Sequence, residues 1–120
     1  MKKLLLLLLI PLSSFSQYTS IPDVNFEQAL INSGYDFLID GFVETSAIDT
    51  VTELMINNNN ISDLTGVESF IALQSLFCYD NNLTTLNLVN NTQLFEVTCS
   101  NNNLTSIDLR NLSVFQNNKK

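Results

Sequence analysis

The chain has 120 residues, of which twelve are acidic, five are basic and none is histidine, so its formal net charge is −7 at pH 7. A chain of this length forms one small domain, and without a basic stripe to neutralise phosphates it is not expected to bind nucleic acid or anionic membranes. The lack of histidine removes the side chain that most often acts as a base near neutral pH or ligates zinc.

Residues 1–16 have the three parts of a secretory signal peptide. Two lysines are followed by an apolar run that begins at Leu4, and small residues precede a cleavage point between Ser16 and Gln17. A membrane anchor is the alternative, but the run is far shorter than the ~20 residues that span a bilayer. Cleavage removes two of the five bases and none of the twelve acids, which leaves 104 residues with a net charge of −9. We therefore expect a secreted or cell-surface protein, with no membrane insertion after signal removal.

Residues 17–50 predict an N-terminal cap that contains a short helix. Ser20 and Asp23 have the spacing of a capping box, and Gly34 is placed to end the helix. Three apolar residues share one face at i, i+3 and i+4 spacing: Phe26, Ala29 and Leu30. A helix of this kind would cover the open end of the core that follows. A helix that binds a partner is the alternative.

The segment 36–44 contains a trace of a calcium loop, with the pattern Asp-x-x-x-Asp-Gly-x-Val. Calcium loops need oxygen ligands at alternating positions, and Leu38 occupies one of them. A hairpin-like turn at Asp40 and Gly41 is the interpretation that we favour. No metal ion is expected here.

A pattern of apolar-x-x-apolar-x-apolar-x-x-Asn-x-apolar occurs three times, starting at Val51, Leu73 and Leu94. A fixed period in this range indicates a solenoid, in which each turn of the chain buries its apolar residues against the next. The pattern resembles the leucine-rich repeat family, and in particular a short or truncated member of the secreted internalin-like surface proteins of bacteria. The resemblance implies an α/β fold by convention, although mostly β. It would be a right-handed leucine-rich-repeat solenoid with a parallel concave sheet and an N-terminal helical cap.

Three repeats occupy residues 51–114 and an incomplete repeat or tail occupies 115–120. Period-2 alternation predicts strands that pair in parallel in one sheet, at 53–56, 75–78 and 96–99. On the other half of the repeats, 62–70 predicts a short 3₁₀ or helical turn, and 84–88 and 105–109 are predicted to be extended. Phe115 is predicted to begin a fourth repeat, with Asn118 and Lys120 at its next two inward positions.

Cys78 and Cys99 occupy the same position in consecutive repeats. In an exported protein two cysteines indicate a disulfide. However, residues in register on neighbouring parallel strands have Cβ atoms that run side by side, which does not favour a bridge. We therefore predict two buried free thiols that stack with Ile56 in the core and bind no metal.

Asn59, Asn81 and Asn102 recur where the chain leaves each strand and turns. Backbone N–H and C=O groups in such a turn are buried, and a short amide can satisfy its own turn and the adjacent one. These three residues are predicted to form a structural asparagine ladder.

Residues between the inward positions are predicted to face the concave side. Eight of them form a candidate ligand-binding surface: Glu53, Met55, Asn57, Phe77, Tyr79, Asp80, Glu96 and Thr98. Its apolar cluster with acidic neighbours resembles an interface hot spot. Cross-strand packing alone is the alternative explanation for aromatic side chains on a strand.

Catalysis is not expected, because the acids are spread singly without a convergent pair and neither cysteine has an activating neighbour. No cofactor is implied. The sequence therefore predicts a non-catalytic module that binds a protein or a surface glycan through its concave face. The alternatives are a structural or truncated fragment that self-associates through its open C-terminal edge, and a recognition segment of a larger exported enzyme.

Overall fold

The computed structural model describes residues 16–108 and the backbone of a strand at Phe115–Asn117. Residues 1–15 of the predicted signal segment 1–16, and the tail positions Asn118 and Lys120, lie outside the described residues. The described strands are β1 (Tyr18–Ser20), β2 (Phe42–Glu44), β3 (Glu53–Met55), β4 (Ser75–Phe77), β5 (Thr85–Asn87), β6 (Glu96–Thr98), β7 (Ser106–Asp108) and β8 (Phe115–Asn117). They are accompanied by helix α1 (Val24–Asn32) and by 3₁₀ turns at Thr45–Ala47 and Val67–Ser69.

Strands β3, β4, β6 and β8 form one sheet in that order, and each pair is parallel. Leu54 pairs with Leu76, and Leu76 pairs with Val97. These pairings repeat the sequence period, so the predicted parallel sheet is confirmed. Each strand ends one residue earlier than the alternation predicts.

The prediction for Phe115 is wrong by two residues. The period of 21 aligns Phe115 with Leu94, but the structure pairs it with Glu96. A shift of two residues keeps the same alternation of faces along a strand, so alternation alone does not distinguish the two registers. The residues that pair with β6 are therefore Phe115–Asn117, and Gln116 lies opposite the inward residue Val97.

The other side of the repeats changes along the chain. The first repeat has the 3₁₀ turn Val67–Ser69, and the next two have β5 and β7, which pair in parallel. The predicted 3₁₀ turn and the two extended segments are confirmed. Successive repeats are thus hydrogen-bonded along two separate lines.

Helix α1 begins at Asp23 rather than with a capping box at Ser20. The carboxylate oxygen Oδ1 of Asp23 accepts from the backbone N–H groups of Asn25 and Phe26, at 2.9 and 3.0 Å. Ser20 belongs instead to β1, which pairs antiparallel with β2, and the helix begins only after Asp23. The predicted start is therefore three residues too early.

The predicted end of the helix is confirmed at Gly34. Gly34 has a left-handed φ of +85°. Its N–H donates to the carbonyl of Ile31, and the N–H of Tyr35 donates to the carbonyl of Leu30. This pair of bonds is a Schellman motif, which favours glycine because of the positive φ.

The turn at Asp40 and Gly41 is present, but it does not join two paired strands. Gly41 has a φ of +86°, and the strand that follows, β2, pairs with β1 instead of with residues 36–39. Glu27 of helix α1 explains the difference. Its side chain is 1% exposed, and its carboxylate accepts from the N–H groups of Asp40, Gly41 and Phe42 at 2.9 to 3.2 Å.

One continuous core connects the helix with the repeats. Phe26, Ala29 and Leu30 are buried as predicted, and the Phe26 ring lies 6.4 Å from the Phe70 ring of the first repeat. Gly66 is required where β1 crosses this repeat. A Cβ atom there would lie 2.8 Å from the carbonyl oxygen of Ser20. The N-terminal segment is thus packed directly on the first repeat.

Candidate functional site

The candidate site is the outer face of the sheet formed by β3, β4 and β6. Each of these strands has three residues, and its middle residue is buried in the core. The outer face consists of the residues on either side of these middle residues and of those that continue the same alternation beyond the strands. Two rows cross these strands, Glu53–Ser75–Glu96 and Met55–Phe77–Thr98. The ladder continues beyond the strands, because the N–H of Asn58 donates to Tyr79 and that of Asp80 donates to Ser100. Asn57, Tyr79 and Ser100 therefore form a third row.

The candidate residues that sequence periodicity groups together lie together on this outer face. Met55 is 60% exposed, while Phe77 and Tyr79 are half-buried against their neighbours. Glu53 is exposed and Glu96 is half-buried. The result is an apolar centre with carboxylates beside it.

Ser75 separates the two glutamates of the first row and is only 8% exposed. Its hydroxyl donates to Oε2 of Glu96 at 3.2 Å. This hydrogen bond orients the Glu96 carboxylate at the sheet surface. Sequence alternation placed Ser75 on the correct face but did not show that its neighbours cover it.

Asp80 lies at the margin of the outer face in a backbone conformation shared by all three repeats. Asn58, Asp80 and Asn101 have φ values of 58°, 57° and 56°. Asn and Asp tolerate this left-handed region better than most residues. The side-chain amide of Asn101 donates to Oδ1 of Asp80 at 2.7 Å, which holds the Asp80 carboxylate on this margin.

Asn81 connects two repeats through one buried side chain. Its amide nitrogen donates to the carbonyls of Ile56 and Cys78, at 2.9 and 3.0 Å. Its oxygen accepts from the N–H groups of Asn59 and Ile61, each at 3.0 Å. A single amide thus satisfies backbone groups of its own repeat and of the preceding one.

Asn102 makes equivalent contacts one repeat further on. Its amide nitrogen donates to the carbonyls of Cys78 and Cys99, and its oxygen accepts from the N–H of Leu83. Asn59 is half-buried, and its amide nitrogen donates to the carbonyl of Asn57 at 2.8 Å.

Cys78 and Cys99 are fully buried, and neither belongs to a disulfide in the described part of the chain. Burial, and to a smaller extent the neighbouring Cys99, together raise the pKa of the Cys78 thiol to about 12. A thiol that stays protonated at neutral pH is neither a nucleophile nor a metal ligand. These side chains therefore act as small core residues.

The sequence and the fold were compared with those of known proteins. No family model matches the sequence. Residues of this chain are 34% identical over 71 positions to Internalin J of Listeria monocytogenes serotype 4b, strain F2365. The match covers 59% of this chain and 8% of that protein.

Solved structures agree with this sequence match. The functional domain of InlJ from Listeria monocytogenes, which includes a cysteine ladder, has a TM-score of 0.69 at 30% identity. The structural match covers 87% of this chain and 25% of the InlJ chain. The chain is similar in sequence and in fold to internalin-like leucine-rich repeat proteins.

A second solved structure supports the fold of the internalin-like chain. Internalin C2 from Listeria monocytogenes str. 4b F2365 has a TM-score of 0.60 at 19% identity, over 80% of this chain and 51% of that one. The internalin-like chain therefore spans no more than about half the length of these relatives.

The charge of the internalin-like chain is distributed unevenly. All twelve acidic residues lie between Asp23 and Asp108, and the five basic residues are at positions 2, 3, 110, 119 and 120. Residues 16–108 therefore contain no basic side chain. Glu53, Asp80 and Glu96 of the outer face have no cation on any neighbouring element of this segment.

An exposed apolar loop is the feature that the sequence analysis missed. Phe37 is 91% exposed, and Leu38 and Ile39 beside it are also exposed. Three consecutive apolar residues between two aspartates, outside the repeat pattern, are the signal that could have revealed it. The loop belongs to the N-terminal segment and lies outside the strands of the sheet.

Two further observations concern the described residues of the internalin-like chain. They contain no group of three or more Cys, Asp or Glu side chains that could hold a metal ion. Among them there is also no helix with the length and apolar character that crossing a membrane requires.

Proposed function

We propose that this chain is a secreted or surface-exposed, non-catalytic module that binds a protein through the outer face of its sheet, which forms the concave side of a right-handed solenoid. The observation that carries the proposal is the apolar centre of the outer face, which consists of Met55, Phe77 and Tyr79. The strand residues next to them point into the buried core. Apolar and aromatic side chains surrounded by polar ones are typical of interface hot spots.

In the proposed solenoid, the N-terminal segment is a cap that covers the first repeat. A solenoid exposes the apolar interior of its first repeat unless another element covers it. Helix α1 buries Phe26 and Leu30 in the core that continues into the repeats. We assign helix α1 to that covering role and not to partner binding.

Cys78 and Cys99 support the comparison with the InlJ domain. That domain includes a cysteine ladder. In this chain the two buried thiols follow β4 and β6 at the same position, which is the arrangement of two successive rungs. We propose that they are a short counterpart of such a ladder and contribute to packing.

Capture of a binding partner tests the proposal. The full chain and the double variant Phe77→Ser/Tyr79→Ser are used to recover proteins from secreted and cell-surface material. We expect the double variant to lose the partner that the unchanged chain retains. The matched control is Phe37→Ser, which removes an exposed aromatic side chain that belongs to no strand of the sheet and should retain the partner.

Two outcomes contradict the proposal. Equal recovery by the unchanged chain and the double variant, with both variants folded by circular dichroism, removes the outer face as the binding surface. Dimers that form with rising concentration in light scattering, without any captured partner, favour self-association through the C-terminal edge of the sheet instead.

A further inference from the structure

We propose that the occupant of the outer face is a basic, extended segment of polypeptide that carries arginine or lysine together with apolar side chains. The inference rests on the proposed function, because it names the chemistry of the ligand for the same surface. It chooses a protein ligand over a glycan.

Charge is the first argument. Glu53 and Glu96 lie two strands apart in one row, which corresponds to roughly 10 Å at the spacing of ~4.8 Å between strands. Asp80 adds a third carboxylate at the margin, and residues 16–108 provide no basic side chain to pair with any of them. Charge complementarity therefore favours a cationic partner and opposes an anionic one.

The apolar centre between these carboxylates is the second argument. Met55 and Phe77 are paired in one row, and Tyr79 follows in the next. Arginine and lysine have long apolar stems that pack on such a surface, and their charged ends are attracted to aromatic faces. A ligand that satisfies this surface must therefore present apolar and cationic groups a few ångströms apart.

A basic polypeptide meets both requirements, whereas other simple ligands meet one. A neutral glycan would leave the carboxylates without a counter-charge. A small polyamine would leave the apolar centre uncovered. An extended strand presents alternate side chains on one face, so that one segment delivers cationic and apolar groups to adjacent rows.

Synthetic peptides provide the test. The probe is a short peptide that alternates arginine with phenylalanine, and its matched controls carry glutamine or glutamate in place of arginine. Binding to the full chain is measured by calorimetry at low and at physiological salt. We expect the arginine peptide to bind at least about 5-fold more tightly than the glutamine peptide, with the difference shrinking at higher salt.

Variants of the chain show where the peptide binds. Glu53→Gln/Glu96→Gln should weaken binding of the arginine peptide by about 5-fold, since each exposed charge pair contributes up to ~1 kcal/mol. The control is Asp63→Asn/Glu68→Gln, which removes the same charge beside a cleft of about 350 Å³ that Thr85 and Asn87 of β5 also line. This control should leave the affinity within about 2-fold, because it lies across the repeat from the outer face.

The outcomes separate the inference from the proposed function. Equal binding of the arginine and glutamine peptides, absence of peptide binding, or equal loss in both double variants overturns the inference. If Phe77→Ser/Tyr79→Ser still abolishes partner capture in that case, the proposed function stands and only the assigned ligand chemistry is wrong. Binding of spermidine as tight as that of the arginine peptide also overturns it.

Discussion

The amide of Asn81 has five hydrogen-bonding partners in two repeats, and this makes a sharp prediction for stability. Asn81→Leu keeps the number of side-chain heavy atoms but leaves the carbonyl of Ile56 and the N–H groups of Asn59 and Ile61 without their partner. We expect a loss of roughly 2–4 kcal/mol in the free energy of unfolding, because each buried polar group left unpaired costs about 1–3 kcal/mol. Urea denaturation measures it.

Asn82→Leu is the matched control for this prediction, since Asn82 is the next residue and its side chain is exposed. Its unfolding midpoint should stay close to that of the unchanged chain. If the two variants unfold at the same urea concentration, the Asn81 hydrogen bonds do not contribute to stability in the way described.

The raised pKa of Cys78 predicts that the stability of the fold decreases at alkaline pH. Its pKa rises from an ordinary value of 9.0 to about 12 because the folded chain buries the thiol. Ionisation therefore occurs more easily in the unfolded chain, so this contribution is fully present below pH 9.0 and is lost as the pH rises toward 12. We expect the urea midpoint to fall between about pH 8 and pH 10.5, and to fall less in Cys78→Ala. Parallel pH profiles for the two proteins would exclude a buried Cys78.

The carboxylate of Asp23 links helix α1 to the first repeat, in addition to the apolar core that they share. Oδ1 of Asp23 caps the helix, while Oδ2 accepts from the N–H groups of Ser62 and Asp63 at 2.9 and 3.0 Å. We expect Asp23→Ala to lower the free energy of unfolding by roughly 2–3 kcal/mol, since it removes a helix cap worth about 1 kcal/mol and two hydrogen bonds to a charged group.

Two variants separate the two roles of Asp23. Asp23→Ser keeps the cap but shortens the side chain, so it should lose about half as much stability as Asp23→Ala. Hydrogen exchange should become faster at the amides of Ser62 and Asp63 in both variants. Unchanged exchange at these amides would mean that the helix is held to the repeat by apolar packing alone.

Elements that repeat along the chain were predictable from the sequence, whereas those formed by distant single contacts were not. The strands of the main sheet and their inward residues follow from a period that occurs three times in the sequence. Strand β1 was missed because only its pairing with β2 makes it a strand. The contacts of Asp23 and Glu27 join residues 13 to 40 positions apart and have no local pattern.

For the candidate site, the sequence predicted which residues share a face but not how exposed each of them is. Period-2 alternation placed Glu53, Phe77 and Glu96 on one face, and pairing in register brought them into adjacent rows. The degree of exposure was not predictable, because it depends on the size of cross-strand neighbours. Ser75 is buried for this reason, while Met55 at the first strand remains open.

The charge of the whole molecule leads to a last prediction. With twelve acids and no base between residues 16 and 108, the folded chain repels itself, and unfolding moves these charges apart. Salt screens this repulsion, so raising sodium chloride from low to physiological concentration should stabilise the fold. A gain of ~1 kcal/mol would raise the melting temperature by about 4–8 °C in a domain of this size. Circular dichroism measures the melt, and sucrose of equal osmolality is the control without ions. A melting temperature that falls with sodium chloride, or rises equally with sucrose, would show that uneven charge does not limit the stability of this fold.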